Sequence, residues 1–299
     1  KSLFLALRHA HVPVDIVTDD DVAAGKLSKY KVLYLTGQYL LSESVPNLAK
    51  WVKDGGILVS SGGGGLLNQH GEPMPAMYNL YGLESANLKR PIRVIAGLGG
   101  YDFSLERMAP LDTMTFQARR GRKKKSIPVL CYKQTMKPTA QASVIATYSD
   151  GSPAAVERRV GRGQAVLSGG LLGLAYLRPA MNWIPESTSA QKYDHYPESY
   201  PSAVRKLISS WAMAARVHRP VLTSDPLVDA TLQEGPLGAI VTLTNFRKRD
   251  KPELTVSIPG LPEARKITSL RHGNLKVTQG KNGPTVSLPL DQGDFLVVD

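Results

Sequence analysis

The stretch that decides the fold is Trp51-Val-Lys-Asp-Gly-Gly-Ile-Leu-Val-Ser-Ser-Gly-Gly-Gly-Gly65. Upstream of it, Val45, Leu48, Ala49 and Val52 recur at spacings of three and four, so a helix with one apolar stripe runs into Trp51. Asp54-Gly-Gly56 ends that helix, because glycine reaches the left-handed backbone that closes a C-terminus. Ile57-Leu-Val59 is a short apolar run bounded by glycine, the pattern of a strand buried on both faces. Four consecutive glycines follow before Leu66-Leu67 resumes a helical pattern. A strand, a glycine-rich turn and a helix together form a place where α/β sheets bind ligands, which makes Ser60, Ser61, Gly62 and Gly63 candidate ligand-binding residues.

Working outward towards the N-terminus, Tyr30-Lys-Val-Leu-Tyr-Leu35 is a second buried strand, and Ser42 or Ser44 is expected to cap the following helix with Pro46 in its first turn. Two strands separated by one helix imply parallel pairing. Pro13 to Val17 reads as a further short strand and Asp19-Asp-Asp21 as an acidic turn. Leu3, Leu5, Leu7 and Ala10 mark an opening amphipathic helix. The chain starts at Lys1 already inside that helix, so we expect a piece of a longer protein.

Towards the C-terminus, residues 91 to 150 read as irregular strands around a basic loop, with Ser143 to Tyr148 the clearest strand. Ala154-Ala-Val156 and Ala165-Val-Leu167 flank the turn Gly161-Arg-Gly163 as a strand pair. A Tyr- and Pro-bearing excursion from Tyr176 to Pro201 precedes a single helix over Ser202 to Arg216, expected to pack on the sheet. Beyond Arg219-Pro220 the apolar period changes from 3.6 to 2, in runs at Leu237 to Phe246, Leu254 to Ile258, Ile267 to Leu270, Leu275 to Thr278, Thr285 to Leu290 and Phe295 to Val298. Short strands without helices predict a β-sandwich. The expected organisation is an α/β domain over residues 1–218 with a mostly parallel sheet, followed by a small all-β sandwich domain over 219–299.

Composition excludes several classes. The single cysteine, Cys131, rules out an internal disulfide framework or a cysteine metal cluster within one chain. No run of eighteen apolar residues occurs, so no helical membrane span is expected. The chain carries 37 Lys/Arg against 25 Asp/Glu; residues 219–299 hold ten of those cations and nine of the acids, which leaves nearly all the excess on residues 1–218. Ala118-Arg-Arg-Gly-Arg-Lys-Lys-Lys125 concentrates six cations in eight residues. Arg119 to Lys125 is therefore a candidate surface for an anionic polymer, but no aromatic stacking platform accompanies it; a solvated loop is the simpler reading and nucleic acid is not an expected partner.

Five groups of residues carry a resemblance over residues 3 to about 175: Ala10-His-Val-Pro-Val-Asp-Ile-Val17, Tyr30-Lys-Val-Leu-Tyr34, Tyr39-Leu-Leu-Ser-Glu43, Trp51 to Val59, and Ala154-Ala-Val156 with Gly161-Arg-Gly-Gln-Ala-Val166. In this order and spacing the chain resembles the middle, trimerisation domain of bacterial β-galactosidases, which has a class I glutamine amidotransferase-like, flavodoxin-like fold. The trailing sandwich is similar to the small C-terminal domain of such glycosidases. The resemblance implies that a first strand is missing before Leu3. It also implies a homo-oligomer, an upstream catalytic domain in the same protein, and a role in assembly or in walling a neighbouring sugar site. In catalytic members of the amidotransferase superfamily the turn after the third strand holds a nucleophilic cysteine; the matching residue here is Ser61. The partner histidine would follow Leu167, where Ser168-Gly-Gly-Leu-Leu172 offers no imidazole, so no triad is implied and no cofactor.

The enzymatic alternative is a hydrolase with Ser61 as nucleophile, glycine amides 62 to 65 as an oxyanion hole, and His70 or His195 as base. His195 with Asp194 and Glu198 also has metal-ligand chemistry, although one histidine with two carboxylates in an aromatic loop reads more simply as a hydrogen-bonded cluster, and no metal is assigned. Tyr176, Trp183, Tyr193, Tyr196 and Tyr200 crowd rings into the excursion, where they suit a sugar face, a partner surface, or anchoring of a long loop. Tyr176, Trp183 and His195 are accordingly carried as ligand-binding candidates. His9 and His11 are expected to face solvent or pack on neighbours. The compartment, cytoplasmic or exported, stays open.

Overall fold

A computed structural model describes residues 1–89, 110–117, 124–180, 198–236, 238–247 and 249–299. Along the chain run α1 (Ser2–Arg8), α2 (Asp19–Ala23), β1 (Val32–Thr36), α3 (Ser44–Lys53), β2 (Ile57–Ser61), α4 (Pro75–Tyr81), β3 (Leu83–Lys89), β4 (Asp112–Phe116), β5 (Lys125–Val129), β6 (Lys133–Pro138), β7 (Ser143–Thr147), β8 (Pro153–Val160), β9 (Gly163–Ser168), α5 (Leu172–Leu177), α6 (Ser202–Ile208) and α7 (Ser210–Ala214). The β-rich remainder holds β10 (Leu222–Thr223), β11 (Val228–Gly235), β12 (Gly238–Asn245), β13 (Lys251–Ser257), β14 (Ile267–Ser269), β15 (Gly273–Leu275), β16 (Thr278–Gly280), β17 (Gly283–Leu290) and β18 (Gly293–Val298). These elements pack as two compact units, one of Asp15–Arg178 with Ser210–Ala215, the other of Lys1–Val14, Pro179–Ser209 and Arg216–Asp299.

The first unit is built on a seven-stranded sheet of order β1-β2-β9-β8-β7-β4-β5. Only β1 with β2 and β2 with β9 are parallel; β9-β8, β8-β7, β7-β4 and β4-β5 are antiparallel. The sheet is therefore mixed, not mostly parallel as expected. The physical reason is local: a two-residue turn between Val160 and Gly163 can only reverse the chain, whereas β1 and β2 have α3 between them to carry the chain back. β3 and β6 form a separate antiparallel pair. One core cluster lies against one sheet face, where Leu48 and Val52 of α3, Met77, Leu80 and Tyr81 of α4, and Leu58, Val156, Ala165 and Leu167 of the sheet are buried together; Val59 of β2 and Val166 of β9, which alternate to the other face, are buried as well.

Several local expectations need correction. Pro13 to Val17 is no strand: Pro13 has no N–H to give to a ladder and Ile16 is 84% exposed. The acidic turn is the helix α2, capped by Thr18, whose hydroxyl accepts from the Asp21 N–H while the Asp21 carboxylate accepts from the Thr18 N–H. Neither Ser42 nor Ser44 caps α3; the Ser44 hydroxyl donates to the Asp19 carbonyl at 2.8 Å and so ties α3 to α2. The expected helix over 202–216 is two helices, α6 and α7, meeting at Ser209 and assigned to different units. α7 lies on β1, where the Tyr34 hydroxyl bonds to the Ala212 backbone.

The second unit contains a four-stranded sheet, β10-β13-β17-β16, and a five-stranded one, β11-β12-β18-β14-β15. Their inward residues, Val241, Leu243, Leu296 and Val298 from one sheet and Leu254, Val256, Val286 and Leu288 from the other, share one buried core, which is a β-sandwich. Leu275 to Thr278 is split between β15 and β16, which join different sheets. The opening segment belongs to this unit: Arg8 donates to Asp229 at 2.6 Å and to Thr231 at 3.0 Å, and His11 Nε2 is 2.8 Å from the Thr223 hydroxyl.

Candidate functional site

Gly62 to Gly65 all have positive φ, so the chain after β2 winds through left-handed backbone that side chains resist. At Gly63 (φ +111°) an added Cβ would lie 2.6 Å from the Gln38 Cα. At Gly64 (φ +65°) it would lie 2.6 Å from Leu167 Cδ1. The four glycines thus let the turn press into a full interior. No helix follows directly; the chain loops through a pairing of Leu67 with Tyr39 and Pro73 before α4 starts at Pro75. The strand-to-helix elbow that would present a nucleophile is absent.

Several polar groups at the turn are already paired with one another or with neighbouring segments. Tyr81 is fully buried and donates its hydroxyl to the Gly64 carbonyl at 2.9 Å, which leaves the Ser60 hydroxyl to donate to Tyr81 at 2.6 Å. Burial pushes the Tyr81 phenol upward, so it remains a donor. The Gly63 amide gives its proton to Gln134 Oε1 at 3.2 Å and the Gly65 amide to the Gly37 carbonyl at 3.0 Å, so two of the four amides proposed for an oxyanion hole are occupied. Ser61 is 3% exposed. At the position where a base would follow β9, Ser168 is buried and donates to the Gly170 carbonyl.

His70 is exposed on the loop beyond the turn, its own N–H bonded to Asn68. Tyr176 is not a loop residue but a fully buried member of α5. Tyr200 meets His9 edge to face at 4.8 Å, and His9 is 8% exposed, so this histidine packs on its neighbours. Trp183, Tyr193, Asp194, His195 and Tyr196 lie outside the described residues, as do residues 118–123 of the basic run. Among the described residues no group of three His, Cys, Asp or Glu could hold a metal, no helix is long and apolar enough to cross a membrane, and no buried side-chain polar atom lacks a partner.

One cluster escaped sequence reasoning. Asp225, 2% exposed, receives two bonds from Arg247 at 2.6 and 2.9 Å, one from Lys251 at 2.9 Å, and the Leu227 amide at 3.0 Å. Its cations lie 22 and 26 positions away in sequence, and no local motif marks the pairing.

Fold and site together define an α/β domain whose glycine-rich turn is filled with its own side chains, accompanied by a β-sandwich. The family model of the β-galactosidase trimerisation domain matches residues 1–182, more than half of the chain, and the chain belongs to that family. No curated protein matches it in sequence. Among solved structures it is similar to a catalytic mutant of a GH42 β-galactosidase from G. stearothermophilus (17% identity, TM-score 0.63, 99% of this chain and 35% of that one). It is also similar to a β-galactosidase from Bacillus circulans sp. alkalophilus (15%, TM-score 0.64, 100% and 37%) and to α-L-fucosidase isoenzyme 2 from Paenibacillus thiaminolyticus (12%, TM-score 0.62, 100% and 44%). The chain spans less than half the length of each.

Proposed function

We propose that this chain is a non-catalytic assembly module of a glycosidase-related protein, which oligomerises through its α/β domain or lends a wall to a neighbouring sugar site. The family match over residues 1–182 carries this reading. Within it, residues 1–218 form the amidotransferase-like, flavodoxin-like part and 219–299 the C-terminal sandwich, although Lys1–Val14 and Pro179–Ser209 pack in the compact unit of the sandwich, and both are attached to an upstream catalytic domain that handles carbohydrate. Ser60, Ser61, Gly62, Gly63 and Tyr176 act in it as packing residues: all five are buried, and the hydroxyls of Ser60 and Tyr81 and the amide of Gly63 already have partners. Any direct sugar contact falls to Trp183 and His195 of the excursion. Neither the Ser61 hydrolase nor the anionic-polymer surface at Arg119 to Lys125 gains support from the fold or the family.

The full chain is expected to turn over neither aryl galactosides nor aryl ester or amide substrates. Turnover abolished by Ser61→Ala with the fold retained would overturn the non-catalytic reading.

A further inference from the structure

The opposite end of the parallel strands, where β1 and β2 begin, carries a feature the assembly role does not use. A cleft of about 710 Å³ opens there within the first unit, walled by Tyr30 and Trp51 and by Lys31, Lys50, Arg159 and Arg162. This lies in the size range of small-molecule sites. Among the described residues Asp54 is the one carboxylate on its wall, and Lys50 already holds it at 2.6 Å. The Lys50 bond and charge keep the Asp54 carboxyl below its ordinary range, with Arg162 and Lys53 adding to the pull, so this acid stays ionised and paired.

Three arginines on the β8-β9 hairpin have different fates. Arg158 and Arg159 point to opposite faces because strand side chains alternate. Arg158 is consumed by the fold, donating to Asn79 and Gln141. Arg159 stands opposite Gln164 in the register and lines the cleft. Arg162 sits in the turn, its backbone N–H fixed on the Lys53 carbonyl at 2.9 Å. Among the described residues neither the Arg159 nor the Arg162 guanidinium has a hydrogen bond or ion pair. Trp51 is held in place, its indole N–H donating to the Tyr30 carbonyl at 3.2 Å.

The geometry points to a binding site for a small dianionic ligand, its two oxyanion groups taken by Arg159 and Arg162 and its body lying along Trp51. Guanidinium forks suit carboxylate, sulfate and phosphate alike, so a phosphorylated metabolite and an acidic saccharide share the chemistry. The site goes beyond the assembly reading and does not depend on it.

Calorimetric titration of the full chain with pyrophosphate and, separately, with digalacturonate tests it. Saturable binding of either at Kd below about 1 mM is expected, pyrophosphate alone assigning the phosphorylated source and digalacturonate alone the saccharide. The pair Arg159→Ala/Arg162→Ala should weaken it at least tenfold, and Gln164→Glu, which sets an acid opposite Arg159, should do the same with little change in volume. Lys276→Ala/Lys281→Ala removes equal charge from the exposed surface of the sandwich unit and should change affinity less than twofold. No saturation with either probe, or equal weakening by the two double variants, would overturn the site.

Discussion

At the scale of single residues, the glycine turn and the histidines of the opening segment make opposite demands on substitution. Gly63→Ala combines positive φ with a Cβ 2.6 Å from backbone, so it should destabilise the first unit by roughly 3 kcal/mol, whereas Gly71→Ala, with φ +84° but nothing within 4 Å, should cost only about 1 kcal/mol. Denaturant unfolding of the two variants checks this difference. His9 is held neutral chiefly by burial, with Arg205 and His11 adding to the effect and Asp229 and Asp225 opposing it, and its pKa falls from 6.5 to about 4. An unfolded His9 takes up its proton near pH 6.5 and the folded one only near 4, so stability is complete above 6.5 and declines as pH drops towards 4. Thermal melts should show that decline in the second unit, and His9→Gln should flatten it. The importance of the glycines was legible in the sequence, but their purpose was not. A run of four signals unusual backbone; whether that backbone frames a ligand or a packed interior depends on Gln38, Leu167 and Tyr81, which arrive from elsewhere in the chain.

At the scale of elements, the best-read pieces were those whose signal is local. The α3 stripe, the buried run of β2 and the β8-β9 hairpin all follow from residue spacing within about a dozen positions. The capping box Thr18-Asp-Asp-Asp21 is equally local and marks the start of α2, although three successive acids also suit a turn. β11 is absent from the expected strands although Val228, Ala230 and Leu232 alternate with polar residues, because this edge strand ends in the exposed Gln233-Glu-Gly235 and so offers only a short apolar pattern. Parallel against antiparallel pairing depends on which distant strand each one meets, and β2 meets β9 about a hundred residues later. Asp225 ties such distant pieces together. Burial alone would raise its pKa, but the Arg247 bond, the Leu227 amide and Lys251 outweigh burial and hold it at about 2. Its contribution is present above the ordinary 3.8 and lost as pH falls through about 2. Asp225→Ala leaves two cations facing an empty carboxylate position and should cost about 3 kcal/mol at neutral pH, with Asp225→Asn costing less because it keeps an acceptor for the Leu227 amide. Urea titrations at pH 7 compare them.

At the scale of the whole molecule, sequence alone separated an α/β part from a β-sandwich and led to the right family, because the change of apolar period near residue 220 and the ordered set of short motifs are both global signals. It did not show that the opening helix is fastened to the sandwich strands through Arg8 and His11, a pairing across more than two hundred residues. Assembly of this chain with copies of itself is the property on which its proposed role depends. Light scattering of the purified full chain over a range of concentrations tests it most directly. A mass three times that of one chain is expected, stable on dilution into the micromolar range, as an interface burying well over about 1,000 Å² would give. A mass of one chain at every concentration would contradict it.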